Sequence, residues 1–185
     1  MKVTRKIKVE TDKFKVGDII SFTLNDGEKV RARAVKKEDG GMLFCCIDCL
    51  SAKYPMNVND SNEGGYKESD LRKVLRAEII RKFPVNITDR MQPMEYGDLL
   101  RIPTEREIFG INEYGEPDDA EQWTCMKKRR NRSASRGDNG DWEWYWLQNK
   151  RRDSASYFCR VGSLGIAIAH PASTSLGIRP VFLLS

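Results

Sequence analysis

The apolar positions of the first fifty residues recur every second place, the period of strands whose side chains point alternately to opposite faces. Val3, Ile7 and Val9 fall among Lys2, Lys6 and Lys8, which predicts an edge strand over 2–9. Ile20, Phe22 and Leu24 alternate next, and Asn25-Asp26-Gly27 is a strong hairpin signal. Lys29-Val30-Arg31-Ala32-Arg33-Ala34-Val35 alternates on the return, Asp39-Gly40-Gly41 turns again, and 42–50 reads as a third, apolar strand. The opening is an antiparallel meander.

The period then changes. Residues 51–65 are rich in Asn, Asp, Ser and Gly and read as a loop. Leu71, Val74, Leu75 and Ile79 are spaced for a helix, with Ser69 as N-cap, Asp70 in the first turn and Pro84 as the stop. Leu99-Leu100-Arg101-Ile102-Pro103 predicts a short strand, and 104–110 a capped helical turn closed by Gly110. In Asp141-Trp142-Glu143-Trp144-Tyr145-Trp146-Leu147 three tryptophans alternate. Strand geometry predicts that they share one buried face, with Tyr145 and Leu147 on the other. The closing Val181-Phe182-Leu183-Leu184, entered through Gly177 and Pro180, predicts a second central strand beside it.

Composition narrows the class. Of 185 residues, 39% are hydrophobic and 32% charged, against about 25% charged in an average soluble domain. No apolar run approaches the ~20 residues of a membrane helix, and the basic start lacks the apolar stretch of a signal peptide. These features predict a location in the host-cell cytoplasm, or in a virion, with no membrane contact. The five cysteines crowd at Cys45, Cys46 and Cys49, with Cys125 and Cys159 apart. Cys46-x-x-Cys49 has metal-site spacing, but no second pair or nearby histidine completes it, so buried reduced thiols are expected. The net charge is only +5, yet between 127 and 160 ten basic residues face four acids.

Several motifs carry a resemblance. Tyr66-x-x-Ser69-Asp70-Leu71-Arg72, Leu100-Arg101-Ile102-Pro103-Thr104-Glu105-Arg106-Glu107, Trp144-Tyr145-Trp146-Leu147 and Gly177-Ile178-Arg179-Pro180 stand in fixed order. From about Val16 to Leu184 the chain resembles an uncharacterised domain family of Firmicutes and their phages, which ends in a W-x-W-L … G-V-R-P pattern. Gln148 departs from it, where the family usually carries Arg. That family is similar to the C-type-lectin-like fold, shared with formylglycine-generating enzymes. The resemblance implies an α+β fold: an antiparallel N-terminal meander plus a C-type-lectin-like mixed domain with long loops. With no repeat or clear linker in the sequence, the reading is a single domain over 1–185, with a meander lobe over 1–50 and a lectin-like-fold portion over 66–184.

The resemblance supplies no reaction. His170 lacks a neighbouring nucleophile motif, Gly162-Ser163-Leu164-Gly165 lacks the nucleophile-elbow pattern, and no catalytic residue, cofactor or metal is assigned. Glu116-Pro117-Asp118 and Asp138-Asn139-Gly140-Asp141 offer oxygen ligands of the kind calcium uses, but are also ordinary turn sequences. Arg179 reads as structural, bound to a carboxylate or a carbonyl. The candidate partner-binding residues are Lys127, Lys128, Arg129, Arg130, Arg132, Arg136, Lys150, Arg151 and Arg152, the first six in a flexible basic loop. The expectation is a non-catalytic phage- or prophage-type binding protein contacting an acidic partner, protein or nucleic acid. Two rivals stand: a phage-encoded inhibitor of a nucleic-acid-targeting host defence such as a CRISPR nuclease, and a carbohydrate-binding virion or surface component.

Overall fold

A computed structural model describes residues 13–137 and 140–185. The strand expected over 2–9 and the Asp138-Asn139 pair lie outside the described residues. The meander forms as β1 (Ile19–Thr23), β2 (Lys29–Glu38) and β3 (Gly41–Cys46), antiparallel throughout. The first hairpin closes through Gly27 at φ 93°, conformational space where a side chain would clash. A bulge between Ala34 and Lys36 re-aims β2, so that Val35 is buried as well as Ala34.

The loop after β3 leads to α1 (Gly65–Glu68) and then to a continuous helix in three parts. These are α2 (Asp70–Val74), a π turn (Leu75–Ile79) and α3 (Ile80–Lys82). The Ser69 side chain accepts from Arg72 N as the expected N-cap. Leu71, Leu75 and Ile79 are fully buried, four positions apart along one stripe. Pro84 ends the helix and N-caps α4 (Val85–Thr88).

β4 (Met91–Gln92) comes next. The strand expected over 99–103 contracts to one bridge, in which Arg101 and Val181 exchange N–H···O bonds of 3.0 and 2.8 Å. Pro103, which has no N–H to donate, stands two residues on. α5 (Glu105–Phe109) has the predicted Thr104 cap, with a reciprocal Glu107 bond, and Gly110 at φ 79° closes it. The second half supplies β5 (Ala134–Ser135), β6 (Trp142–Glu143), β7 (Tyr145–Lys150), β8 (Tyr157–Val161), β9 (Ala167–Pro171) and β10 (Val181–Leu184).

Among the described residues three sheets result, and the architecture is α+β. Five strands run in the order β1-β2-β3-β10-β4, so the carboxy-terminal strand is inserted beside the meander. β5-β6 is a two-stranded ribbon, and β7-β8-β9 a three-stranded antiparallel sheet. A core lies on each face of the large sheet because β3 and β10 alternate apolar residues to both sides. Phe44, Phe182 and Leu184 join the helix stripe and Trp146 on one face. Leu43, Cys45, Val181 and Leu183 meet Tyr145, Leu147, Trp123 and Met126 on the other. Phe44 and Phe182 stack at 5.8 Å, and Phe83 meets Phe182 edge-on at 5.6 Å, each such pair adding about 0.5–1.5 kcal/mol beyond its buried area.

The tryptophan expectation requires correction. Trp146 is fully buried, but Trp142 is 66% exposed and Trp144 37% exposed. The segment is two strands in different sheets, not one. Trp144 sits at the break, where its carbonyl accepts from Gly177 N while Trp146 N donates to Gly177 O. The period slips there, and Glu143 takes the inward position, where Lys53 meets its carboxylate at 2.6 Å. Among the described residues no helix is long and apolar enough to cross a membrane.

Candidate anion-binding cleft

The basic stretch is anchored, contrary to the flexible loop expected from its composition. Two short 3-10 turns, Thr124–Lys127 and Arg129–Asn131, carry it across the second core, with Met126 and Ala134 buried as its apolar anchors. Its own side chains bind its backbone: Asn131 Nδ2 donates to Cys125 O at 2.7 Å and Arg132 Nε to Met126 O at 2.7 Å. Tyr145 Oη donates to Arg132 O at 2.6 Å, tying the stretch to β7.

The nine candidate basic residues separate by what they touch. Lys127, Lys128 and Arg130 are exposed, and no carboxylate pairs with them among the described residues. Arg129 is exposed but donates to Leu164 O at 2.8 Å. Arg132 covers the Phe109 ring at 5.2 Å, and Arg136 is exposed beside a backbone bridge to Cys49. The other three are committed inside the molecule. Lys150 pairs with Glu116 at 3.2 Å, and Arg151 Nη2 with Asp153 at 3.0 Å, a contact that lowers the Asp153 pKa. Arg152 Nη2 donates to Asn112 O at 2.6 Å. Lys150, Arg151 and Arg152 therefore brace the turn between β7 and β8, apart from the six candidates of the basic stretch.

The stretch roofs a cleft of about 180 Å³ against the outer face of β2 and β3. Arg33 comes from β2, Arg130 from the stretch, and Arg179 from the residues leading into β10. Arg33 shares its strand face with Val35, and Cys45 is its cross-strand neighbour, which places it toward the second core. Arg179 is only 2% exposed and lies deepest. Its Nε donates to Cys46 O at 2.9 Å and its Nη1 to Tyr145 Oη at 3.0 Å, with Asn131 O at 3.3 Å. The predicted carbonyl partners are present, but no carboxylate is, and Nη2 has no partner among the described residues.

Buried charges are ordinarily paired, because an uncompensated ion in a low-dielectric interior is costly. The groups around Arg179 provide no such compensation. Burial pushes the Cys45 thiol up to about 11 and also raises Cys49 and Tyr145, so none is an anion at neutral pH. Cys125 also lines the cleft, and burial raises its thiol too, which keeps it a poor nucleophile. Among the described residues Asp48 is the one carboxylate in the lining, and Arg31 Nη2 at 3.0 Å and Ser135 N at 3.1 Å already occupy it. Among the described residues, three guanidiniums thus line the cleft against one engaged carboxylate. Trp142 forms its outer wall.

Other candidates resolve into structure. Asp118 accepts from Asn112 Nδ2 at 2.9 Å, Asn149 Nδ2 at 2.8 Å and Ala120 N at 2.9 Å, so its oxygens organise the loop. Cys46 and Cys49 point into opposite cores and do not converge as ligands. His170 packs edge-on to Trp144 at 5.7 Å. Arg160 is a second buried guanidinium, face-on to Trp144 at 3.9 Å, with Nε and Nη1 unbonded, and desolvation lowers its pKa to about 10. Sequence reasoning did not single out Arg33, counted Arg160 only as part of the basic surplus, and expected Trp142 in the core. Arg179 alone left a signal, a lone charge within an apolar ending. The chain matches no protein-family model, no curated protein and no solved structure.

Proposed function

We propose that this chain is a non-catalytic binding protein that takes an acidic macromolecule on the basic rim formed by Lys127, Lys128 and Arg130. One observation carries the reading: these three cations are exposed and unpaired among the described residues, whereas Lys150 and Arg151 of the same charge-rich half are neutralised by Glu116 and Asp153. A surface that merely keeps the protein soluble does not need to be held in place, yet here the side chains of Asn131, Arg132 and Tyr145 donate to the carbonyls of Cys125, Met126 and Arg132. Pre-organisation of this kind lowers the ordering cost of binding. The adjacent cleft pairs guanidiniums with thiols that burial keeps protonated, a lining suited to holding an anion rather than attacking one. Insertion of the carboxy-terminal strand beside the opening meander agrees with the returning last strand of the C-type-lectin-like reading.

The test is fluorescence anisotropy with a labelled single-stranded oligonucleotide over a salt series. Affinity is expected to fall as salt rises, with a logarithmic slope of about 0.7 per phosphate neutralised. Lys127→Ala combined with Lys128→Ala should lower that slope by about 1.4, two contacts' worth, and weaken all sequences alike. Binding that ignores both salt and these substitutions would refute the reading.

A further inference from the structure

We infer that the cleft beneath the rim is a phosphoryl-binding pocket, with Trp142 placed to stack the base attached to that phosphate. The inference rests on the acidic-partner reading above and names the chemistry of the partner. At about 180 Å³ the cleft is well below the roughly 300–1,000 Å³ of sites that enclose a whole drug-sized ligand. It holds a head group and leaves the remainder of the ligand outside.

The lining selects the head group. Arg179 brings an almost fully buried guanidinium whose Nη2 is unused among the described residues, where Arg33 and Arg130 likewise pair with no carboxylate. Several guanidinium donors suit an oxyanion with several acceptor oxygens, which a phosphoryl group provides. The hydroxyls of Ser133 and Ser135 lie in the same wall and can donate to oxygens the arginines leave free. Binding an anion would supply the counter-charge that the interior withholds from Arg179. A neutral sugar would leave that charge uncompensated.

The outer wall selects the group joined to the phosphate. Trp142 is a pocket residue and yet 66% exposed, an arrangement that leaves indole surface open beside the anion site. An aromatic face next to a cationic groove is the general means of holding an unpaired base without reading its sequence. The rim lysines, exposed on the stretch that also carries the cleft residue Arg130, would be available to further phosphates of a strand. Free nucleotide and single-stranded nucleic acid share this chemistry, and the assay separates them.

Isothermal titration calorimetry with inorganic phosphate, adenosine monophosphate and a short single-stranded oligonucleotide tests the pocket on the full chain. All three should bind, the nucleotide more tightly than phosphate, and the oligonucleotide most tightly if a strand is the natural ligand. Arg33→Gln should weaken phosphate and nucleotide by about tenfold or more. Trp142→Ala, an exposed position that leaves the core intact, should weaken the nucleotide about tenfold and leave phosphate unchanged. Lys127→Ala with Lys128→Ala should weaken only the oligonucleotide. If neither phosphate nor nucleotide binds, or if Arg33→Gln and Trp142→Ala bind both like the parent, the pocket assignment is overturned. Oligonucleotide binding that persists without nucleotide binding would sink the pocket and spare the rim. Nucleotide binding without oligonucleotide binding would do the reverse.

Discussion

Arg160 and Arg179 are both buried guanidiniums, and their surroundings assign them opposite energetic roles. Arg179 satisfies the carbonyl of Cys46 and contacts those of Asn131 and Arg132, so it fastens β3, the basic stretch and β7 together. Arg160 leaves Nε and Nη1 unbonded and has the Trp144 ring as its partner. Removing a buried polar group that makes few bonds is often neutral or stabilising, whereas removing one that satisfies several buried acceptors leaves each of those unpaired. Arg160→Met should therefore keep or raise stability, by up to about 2 kcal/mol, while Arg179→Met should lose about 2–5 kcal/mol. Urea denaturation of the two variants checks this, and a large loss in Arg160→Met would show that the Trp144 contact outweighs the cost of burying the guanidinium. Only one of these roles could be anticipated from the sequence. Arg179 interrupts an apolar run, but Arg33 occupies an outward position of an alternating strand, as an ordinary solvent-facing residue would. What covers it is a segment far along the chain, and strand periodicity carries no information about such a neighbour.

At the scale of elements, legibility tracked locality. The first hairpins, the Ser69-capped helix and the Thr104 capping box are determined by residues within a turn of one another, and they formed where the pattern placed them. The tryptophan segment did not, because its alternation was broken by a partner more than thirty positions away, Gly177. Gly177 is where β7 and the approach to β10 exchange backbone bonds, and the space around it is closed. A Cβ there would lie 2.8 Å from Glu143 Cγ, 2.9 Å from Cys49 Sγ and 3.0 Å from the Trp144 carbonyl oxygen. One of these atoms is backbone and another belongs to a carboxylate held by Lys53, so relief requires moving a strand or breaking an ion pair. Gly177→Ala should cost about 1–3 kcal/mol, the usual range for overpacking. The midpoint of chemical denaturation measures it. A variant as stable as the parent would mean that the junction is loose, and the Trp142 wall of the cleft with it.

Across the whole molecule, the two cores share a feature that sets the alkaline limit of stability. Cys46 lies in one core and Cys45, Cys49 and Cys159 in the other, all buried, and burial raises every one of these thiols. Cys45 is the least displaced of the four, from an ordinary 9.0 to about 11. A group whose proton is held more tightly in the folded state contributes fully below its unfolded pKa, and that contribution is lost as pH rises toward the folded value. The unfolded chain releases thiol protons above about 9 while the folded chain retains them, so stability should be level through neutrality and fall between about 9 and 11. For Cys45 alone the loss approaches about 3 kcal/mol at the upper end, at about 1.4 kcal/mol for each tenfold change in proton affinity. Tyr66 and Tyr145, raised by burial as well, add to the same side at higher pH. Melting temperatures of the parent and of Cys45→Ala, taken from neutral to alkaline pH, separate this from a general effect of charge. The variant begins less stable because it leaves a small cavity, but its alkaline decline should be shallower, since it has one fewer thiol to ionise on unfolding. Parallel declines would mean that the Cys45 thiol titrates alike in the folded and unfolded chains, and that the second core, with the cleft built on it, is open to water.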